Sequence, residues 1–364
     1  MKILHIHPSL AGGGIEAMIC GLVNEMTHMG HTVHVCTIFK PEIGDIFYHK
    51  LDPHVAKISI GKIKPGFSLK EVFKIYRIIK QGHYKVVHIH GFFYYYVLAV
   101  LLLHKRVKFF YTIHSDAYME NAKWDRQIFW LKKICFQKGY IHPIAISNVS
   151  QASFTSLYHC SSDLVYNGVP LPHITNEIPA IIKKSKITKD TLTLLHPGRI
   201  DTPKNQLVLC KVCQRLIDEG ENIVLLIAGT KQNEGIYKTI KPYFSDRIQY
   251  IGERSDIPEL LHASDAMCLP SIWEGLPVTL LEALSVGCIP ICSPVGGIIN
   301  VIHDGVNGFL SKSSSETDYY DTLRRFLHLS PADRTIIQKN CSTSFVRFDI
   351  THTTSEYIAL YERY

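Results

Sequence analysis

No apolar run in this sequence is long enough to cross a membrane. A membrane-spanning helix needs roughly 20 consecutive apolar residues, and the longest apolar candidate, residues 91–103, ends before His104, Lys105 and Arg106. The N-terminal segment, MKILHIHPSL, is also too short in apolar residues for a secretory signal. We therefore expect a cytoplasmic protein.

The sequence also lacks a complete set of metal ligands. The cysteine pair at 210–213 falls in a helix pattern and has no second pair to complete a zinc site. The pairs His5-x-His7 and His88-x-His90 each place two rings on one face of a strand, but no cysteine or carboxylate completes either set in sequence. We expect no bound metal ion.

The composition predicts a folded chain of two domains. With 46% hydrophobic and 20% charged residues over 364 positions, the chain can bury a large core and is long for one compact domain. Residues 1–165 contain 19 Lys and Arg against 10 Asp and Glu, whereas residues 166–364 contain 20 against 22. The basic half suits an anionic membrane, an acidic substrate or an ordinary solvated surface. Nucleic-acid binding is disfavoured, because the cations are spread over many loops without a basic and aromatic motif.

Strand and helix patterns alternate along both halves of the chain. In the first half, strand patterns at 2–6, 31–39, 86–90, 108–114 and 144–147 alternate with helix patterns at 15–29, 68–81, 92–103 and 124–137. In the second half, strands at 192–196, 222–228, 247–251, 266–269 and 289–292 accompany helices at 206–219, 257–263 and 277–286. Between them, Pro170, Pro172 and Pro179 interrupt the pattern. We predict two doubly wound parallel α/β domains, 1–168 and 190–349, with a linker over 169–189.

One helix pattern of the first half, residues 67–80, has a basic stripe opposite its apolar face. The stripe consists of Lys70, Lys74, Arg77 and Lys80. Cation-rich amphipathic helices lie on anionic membranes, although packing of the apolar face into a core is the interpretation we favour.

Ligands of open parallel sheets bind beyond the carboxyl ends of the strands, so the loops after the strands are candidate sites. After the first strand, Gly12, Gly13 and Gly14 precede a helix whose exposed N–H groups and dipole favour an anion. The spacing is not the GxGxxG fingerprint of dinucleotide sites, and no acidic residue ends the next strand. A phosphate or sugar contact is therefore favoured over a dinucleotide.

Two cations follow the first strand of the second half. Arg199 offers a planar fork for phosphate and Lys204 a point charge at the start of a helix, so both can converge on one diphosphate. Taken alone, they would equally suit an ordinary solvated surface.

Two carboxylates stand among apolar residues in the segment SIWEGLPVTLLEALSVG, residues 271–287. Pro277 suits the first turn of a helix and Gly287 its end. Glu274 is therefore in a loop, and Glu282 is about one and a half turns into the helix. Carboxylates accept hydrogen bonds from sugar hydroxyls, with helix N–H groups between them available to phosphate. Without the neighbouring motifs, Glu282 would be an ordinary helix residue.

Taken together, these motifs resemble those of the family 4 retaining glycosyltransferases. Glu274-Gly-Leu-Pro…Glu282 resembles the E-x7-E motif of that family, and its other motifs follow in the same order: the glycine loop, YTIH at 111–114, YNGV at 166–169 and Gly198-Arg199…Lys204. The resemblance spans nearly the whole chain. It implies an α/β, GT-B fold of two Rossmann-like domains facing an interdomain cleft. The first would bind the acceptor and the second the nucleotide-sugar, with a C-terminal helix, 350–364, packed back on the first.

The resemblance also implies roles for individual residues. Arg199 and Lys204 would bind the diphosphate, Glu274 the donor sugar and Glu282 the ribose, and His114 would lie near C6 of that sugar. The implied catalytic residues are Glu274, Arg199, Lys204 and His114, and the implied donor-binding residues are Gly13, Gly14, Gly252, Arg254, Gly275, Leu276, Pro277, Val278, Thr279 and Glu282. Asn167 and Asp116 are further candidates. The family often has an aspartate directly after the histidine, whereas here Ser115 precedes Asp116.

The implied activity is a retaining, metal-independent hexosyl transfer from a nucleotide-sugar, UDP-linked, to a hydroxyl of a glycan or polyprenyl-diphosphate-linked acceptor. Its biological setting would be synthesis of a bacterial surface polysaccharide (capsule, O-antigen or exopolysaccharide) at the inner face of the plasma membrane. The sequence has no Asp-x-Asp triplet, the usual metal-holding motif of metal-dependent glycosyltransferases, and we expect no cofactor.

Two alternatives stay open. One is a GT-B nucleotide-sugar epimerase. The other is a non-catalytic nucleotide-sugar-binding scaffold, against which the presence of Arg199, Lys204, Glu274 and Glu282 together argues.

Overall fold

The chain forms two compact units. A computed structural model describes residues 1–64, 66–120, 123–175, 177–186 and 188–364. The first unit contains Met1–Pro170 and Phe348–Tyr364, and the second contains Leu171–Arg347. The first change of unit falls inside the segment 169–189 that the sequence predicts as a linker, of which residues 176 and 187 lie outside the described residues.

The first unit is built on a seven-stranded parallel sheet in the order β3-β2-β1-β4-β5-β6-β7. Its elements are β1 (Lys2–His7), α1 (Gly14–His28), β2 (Thr32–Phe39), α2 (Ile46–His49), β3 (Ala56–Lys62), α3 (Leu69–Gly82), β4 (Val86–Ile89), α4 (Val97–Leu103), β5 (Lys108–Ile113), α5 (Lys123–Gln127), α6 (Phe129–Gln137), β6 (His142–Ala145), α7 (Asn148–Tyr158) and β7 (Asp163–Leu164). The strand order reverses between β1 and β4, so their carboxyl ends are neighbours at a topological switch point.

The second unit repeats this plan with six parallel strands in the order β10-β9-β8-β11-β12-β13. Its elements are α8 (Ala180–Ser185), β8 (Leu192–Pro197), α9 (Gln206–Asp218), β9 (Ile223–Ala228), α10 (Glu234–Ile240), β10 (Ile248–Gly252), α11 (Ile257–His262), β11 (Ala266–Leu269), α12 (Val278–Ser285), β12 (Ile289–Cys292), β13 (Phe309–Leu310), α13 (Glu316–Leu327) and α14 (Pro331–Phe345). The switch point here lies between β8 and β11.

Both sheets have buried, nearly continuous apolar strands, as expected where helices cover both faces. All of β9 is buried, and so is all of β11. The prediction of two doubly wound parallel α/β domains is confirmed. Among the described residues, no helix is both long and apolar enough to span a membrane.

The last helix, α15 (Ile350–Arg363), belongs to the first unit. Asp349 caps its start by accepting a hydrogen bond from the Thr351 backbone N–H at 2.8 Å. Its tyrosines Tyr357 and Tyr361 are buried in that unit, and the Tyr361 hydroxyl lies 2.5 Å from Nδ1 of His88 in β4. The helix therefore completes the core of the first unit.

Two predicted helices of the first unit are each divided in two. The pattern at 92–103 begins with a 3₁₀ turn, Phe93–Tyr95, before α4, and the pattern at 124–137 is divided into α5 and α6. Asp125 explains the first division, because its buried carboxylate accepts the backbone N–H groups of Phe93 and Tyr94. The same carboxylate pairs with buried Lys132 at 3.2 Å.

Candidate active site

Two loops of the second unit adjoin because they follow neighbouring strands. The loop after β8 carries Arg199 and Lys204, and the loop after β11 carries Glu274. Two hydrogen bonds hold them together: Ile272 N–H donates to the Pro203 carbonyl at 2.8 Å, and the Asn205 side-chain amide donates to the Pro270 carbonyl at 3.1 Å. The β8/β11 switch point thus assembles residues that are some 70 positions apart in sequence.

Lys204 and Glu274 form an ion pair at this point. Lys204 Nζ donates to Glu274 Oε1 at 2.6 Å, and the Ser271 hydroxyl donates to the same oxygen at 2.7 Å. The two charged side chains are only 16% and 11% exposed. In the described part of the chain, Glu274 Oε2 has no hydrogen-bond partner. The carboxylate is therefore fixed through one oxygen and keeps the other for a ligand.

Arg199 is exposed, and its guanidinium has no hydrogen bond or ion pair with any described residue. Its backbone is nevertheless fixed, since its carbonyl accepts a hydrogen bond from the buried Gln206 amide at 2.7 Å. Gln206 also lies 3.1 Å from Nε2 of His196, whose Nδ1 is 2.8 Å from the Cys268 carbonyl. Burial lowers the pKa of His196 to about 4. A neutral His196 can thus donate to Cys268 and accept from Gln206.

Two glycines that sequence reasoning missed allow the loops to approach one another. A Cβ at Gly229 would overlap the Gly198 carbonyl, and a Cβ at Gly296 would overlap the Glu274 carbonyl. Gly296 also has a φ of 56°, in the left-handed region. Each glycine follows a strand of the sheet, which is the sequence signal that could have identified them. Asn205 and Ser271 were also missed, and Asn205 has a left-handed φ of 54°.

The segment after Glu274 leads directly into α12. Leu276 and Pro277 are buried, Pro277 occupies the N-cap position, and Val278 begins the helix. Thr279 and Glu282 are both half-buried and three positions apart, so they share a face of α12. Gly275 accepts a hydrogen bond from the Gly297 N–H at 2.5 Å. The predicted division into a loop carboxylate and a helix carboxylate is confirmed.

In the loop after β10, the side chain of Arg254 already has a partner within the loop. Its guanidinium makes a two-point pair with Asp256 at 2.8 and 2.5 Å, and this pairing lowers the pKa of that carboxyl. Only the Arg254 backbone is thus left for a ligand. Gly252, at the end of β10, has a φ of 76° and open space where a Cβ would be.

In the first unit, Gly13 is the N-cap residue of α1 and Gly14 begins the helix. The Glu16 carboxylate lies against Gly13, close enough that a Cβ there would overlap it. An acidic group at this position repels phosphate, so the glycine loop suits a hydroxyl better than an anion. Asn167 is buried in the same unit.

His114 follows β5 and is 9% exposed. Its backbone N–H and that of Ser115 donate to the carboxylate of Glu120, whose pKa burial raises to about 7. Asp116 closes the turn by accepting the N–H groups of Tyr118 and Met119. The structure therefore shows a turn-closing contact for Asp116 through its Oδ1. Glu120 was not predicted.

The predicted histidine pairs come together with His114 in one buried cluster. Nitrogens of His5, His88 and His90 lie within 4.8 Å of one another. The rings of His88 and His90 are stacked at 4.3 Å, and both nitrogens of His88 already face hydroxyls, Tyr361 at 2.5 Å and Thr112 at 2.6 Å. Because imidazole lone pairs lie in the ring plane, stacked rings do not aim them at one point. The donor set therefore does not fit a metal ion.

Two family models match consecutive parts of the chain. Residues 12–172 match the model described as Glycosyltransferase Family 4, and residues 177–342 match the model described as Glycosyl transferases group 1.

Two curated relatives match the chain over different lengths. The UDP-Gal:alpha-D-GlcNAc-diphosphoundecaprenol alpha-1,3-galactosyltransferase of Escherichia coli is 28% identical over 246 residues, which cover 63% of this chain and 57% of that enzyme. The N-acetyl-alpha-D-glucosaminyl L-malate synthase of Bacillus anthracis is 21% identical over 373 residues, covering 98% and 94%. This chain thus spans little more than half of the first relative and nearly all of the second.

Solved structures share the fold. A glycosyltransferase from Rickettsia africae has a TM-score of 0.82 at 19% identity and covers 100% of this chain and 98% of its own. HepE from Anabaena, solved in complex with UDP and glucose, has a TM-score of 0.80 at 17% identity with complete coverage of both chains. These likenesses confirm the predicted GT-B fold class.

Proposed function

Because the chain belongs to the group 1 and family 4 glycosyltransferases, we propose that it is a retaining hexosyltransferase that uses a UDP-sugar as donor. The observation that carries the proposal is the Lys204–Glu274 ion pair, which joins the loops after β8 and β11. The unpaired guanidinium of Arg199 lies in the same loop as Lys204. The UDP-sugar is a substrate, and we propose that the enzyme needs no cofactor.

The departing UDP is the charge that this site must stabilise. Arg199 can bind the diphosphate through two donors and Lys204 through a third, and the first N–H groups of α12 add a positive helix end. Fixed cations and dipoles of this kind stabilise a developing charge without rearranging during the reaction. We therefore propose metal-independent transfer, in line with the lack of an Asp-x-Asp triplet in the sequence.

The transferred sugar and the ribose need hydrogen-bond acceptors. Glu274 Oε2 can accept from hydroxyls of the sugar, because Oε1 is already occupied by Lys204 and Ser271. Glu282 would accept from the ribose, with residues 275–279 passing the sugar and phosphates between them. In a retaining reaction, the acceptor hydroxyl attacks from the face that the diphosphate leaves. The departing phosphate can then take up the proton of that hydroxyl.

A panel of nucleotide-sugars tests the donor. We expect one UDP-sugar to raise the melting temperature of the protein by several degrees and to be slowly hydrolysed, equally well with EDTA present. Arg199→Ala should lose most of this protection, since a charge-assisted diphosphate contact is worth about 1.5–3 kcal/mol. Arg324→Ala, an exposed arginine of α13, is the matched control and should behave as wild type. Absence of a response to every donor would refute the assignment, and loss of the response in EDTA would refute metal independence.

For the acceptor, we propose a polyprenyl-diphosphate-linked or other glycan of a bacterial surface polysaccharide. Two observations support this choice. The name of the Escherichia coli relative includes a diphosphoundecaprenol acceptor, and residues 1–165 carry 19 cationic against 10 acidic side chains. A lipid-linked acceptor would place the protein at the inner face of the plasma membrane.

The surface of α3 suits contact with such a membrane. The apolar face of the helix packs into the core through Val72, Ile75 and Ile79, as the sequence interpretation favoured. A second set of side chains stays exposed: Leu69 and Phe73, 61% and 53% exposed, together with the cations Lys70, Arg77 and Lys80. Exposed apolar side chains flanked by cations are typical of peripheral membrane helices. We propose that this face of α3 contacts anionic lipid.

Vesicle sedimentation tests this contact. Vesicles with phosphatidylglycerol should bind the protein, and binding should weaken at high salt. The double variant Lys70→Glu and Arg77→Glu should lower affinity at least about tenfold, because each cation near an anionic surface contributes about 1 kcal/mol. The control is a double variant of two exposed lysines of α8, Lys183→Glu with Lys184→Glu, which makes the same charge change in the second unit. An equal loss of vesicle affinity in both double variants would contradict a specific role for α3.

A further inference from the structure

Three buried histidines form a continuous hydrogen-bonded chain in the first unit. His5 Nδ1 lies 3.1 Å from His90 Nε2, and His90 Nδ1 lies 3.0 Å from His114 Nε2. The three rings come from β1 and from the ends of β4 and β5, and they are 0%, 1% and 9% exposed. Strand order places them in line, because β1 and β4 are paired and β4 and β5 are paired.

Each ring of this chain is neutral at neutral pH. Burial lowers the pKa of His5 and of His114 to about 3, and it holds the pKa of His90 well below its usual range. A neutral imidazole has one N–H donor and one acceptor nitrogen. Each N···N contact therefore needs a donor on one side and an acceptor on the other.

Only two arrangements of protons satisfy both contacts. In the first, His114 Nε2–H donates to His90, His90 donates to His5, and His5 keeps an N–H at Nε2. In the second, every donor is reversed: His5 Nδ1–H donates to His90, His90 Nδ1–H donates to His114, and His114 keeps an N–H at Nδ1. A change of tautomer at either end thus requires the same change at all three rings.

The two outer nitrogens decide between these arrangements. His5 Nε2 and His114 Nδ1 are both buried, and neither has a hydrogen-bond partner in the described part of the protein. A buried N–H without an acceptor is costly, and in the first arrangement it would lie at His5, which is completely buried. In the second arrangement it lies at His114, where an oxygen of a bound ligand can accept it. Since His114 Nε2 is occupied by His90, Nδ1 is the ring nitrogen left for that ligand.

We propose that His90 and His5 are positioning residues that fix His114 as its Nδ1–H tautomer, so that it presents a hydrogen-bond donor to an oxygen of a bound sugar. The identity of that ligand rests on the proposed function. The coupling of the three tautomers does not depend on it. Neither His5 nor His90 needs to touch the sugar.

Nitrogen-15 NMR of histidine-labelled full-length protein tests the coupling directly, because protonated and bare ring nitrogens resonate far apart. The His114 signals are assigned by their loss in His114→Gln. In wild type we expect His114 to be protonated at Nδ1 and bare at Nε2. His5→Asn should leave this pattern unchanged, since its side-chain amide can donate from the position of Nδ1. His5→Phe removes the donor, and the two His114 signals should move toward each other as the tautomers mix.

A matched control is His34→Phe, which removes a histidine of β2 that is bonded to Tyr84 rather than to the chain. It should leave the His114 signals in place. Protonation of His114 at Nε2 in wild type would overturn the proposal, as would unchanged His114 signals in His5→Phe. These readouts need no substrate, so a failed transfer assay would contradict the proposed function and leave this test intact.

Discussion

Replacing Glu274 with alanine is expected to lower kcat for sugar transfer by at least about 100-fold while the protein stays folded. The variant loses the acceptor for sugar hydroxyls, and it also loses the partner that holds Lys204 at 2.6 Å. The fold should persist because Lys204 is 16% exposed and can reach water once its partner is removed. The measurement is the steady-state rate with saturating donor, alongside circular dichroism.

The control for this variant is Glu234→Ala, which removes an exposed carboxylate of the same unit from the start of α10. Its kcat should match wild type. A wild-type kcat in Glu274→Ala would contradict the role assigned to Glu274. Sugar epimerisation in the wild type without an acceptor would instead favour the alternative of a GT-B epimerase.

The second large effect is loss of stability in mild acid. Burial depresses the pKa of several histidines, among them five buried rings: to about 3 for His5 and His114, about 4 for His196, and well below the usual range for His88 and His90. In the unfolded chain these rings take up protons near pH 6.5. Below that pH, the unfolded state binds more protons than the folded state. The unfolding free energy therefore falls as pH falls, by up to about 1.4 kcal/mol per pH unit for each histidine.

One carboxyl acts in the opposite direction. Burial raises the pKa of Glu120 to about 7, so the folded state takes up this one proton between pH 7 and its ordinary pKa, and gains stability there as pH falls. The destabilising effect of the five histidines is larger than the stabilising effect of this one carboxyl. Because folded proteins are stable by only about 5–15 kcal/mol, we expect unfolding within about two pH units below 6.5.

Urea unfolding at pH 7.5, 6.5 and 5.5 measures this dependence. Four of these five histidines belong to the first unit, so the urea concentration at which that unit unfolds should change most with pH. His5→Asn should reduce the slope of unfolding free energy against pH by the equivalent of about one proton. His28→Gln, with a side chain 62% exposed, should leave that slope unchanged. Stability that is constant over this range would show that the histidines are not buried as neutral rings.

Local sequence signals were enough to predict the strands β8 to β12 of the second unit and the placement of its carboxylates, whereas α10, α13, α14 and β13 were not predicted. Pro277 and Gly287 mark the two ends of α12, and Gly287 has the left-handed φ of 72° expected after a helix. With α12 placed, Glu274 had to lie in the loop and Glu282 in the helix. The strand patterns then indicated that Arg199, Lys204 and Glu274 lie at one edge of a parallel sheet.

The contacts that could not be predicted depend on strand register or on the rotamers of individual side chains. His5, His90 and His114 meet only because β1, β4 and β5 are adjacent in a particular register. The close approach of the Glu16 carboxylate to Gly13 depends on the rotamer of the Glu16 side chain. Arg254 and Asp256 are two positions apart, and their pairing depends on the rotamers of both side chains. Periodicity alone carries none of this information.

A crystal structure with UDP bound tests the central claim most directly. We predict that the diphosphate lies within hydrogen-bond distance of Arg199 and Lys204, near the first turn of α12. The ribose hydroxyls should contact Glu282, and Glu274 should be left free to bind the sugar. UDP bound away from these four side chains would contradict the account, and so would a well-occupied UDP whose ribose contacts Glu274 instead of Glu282.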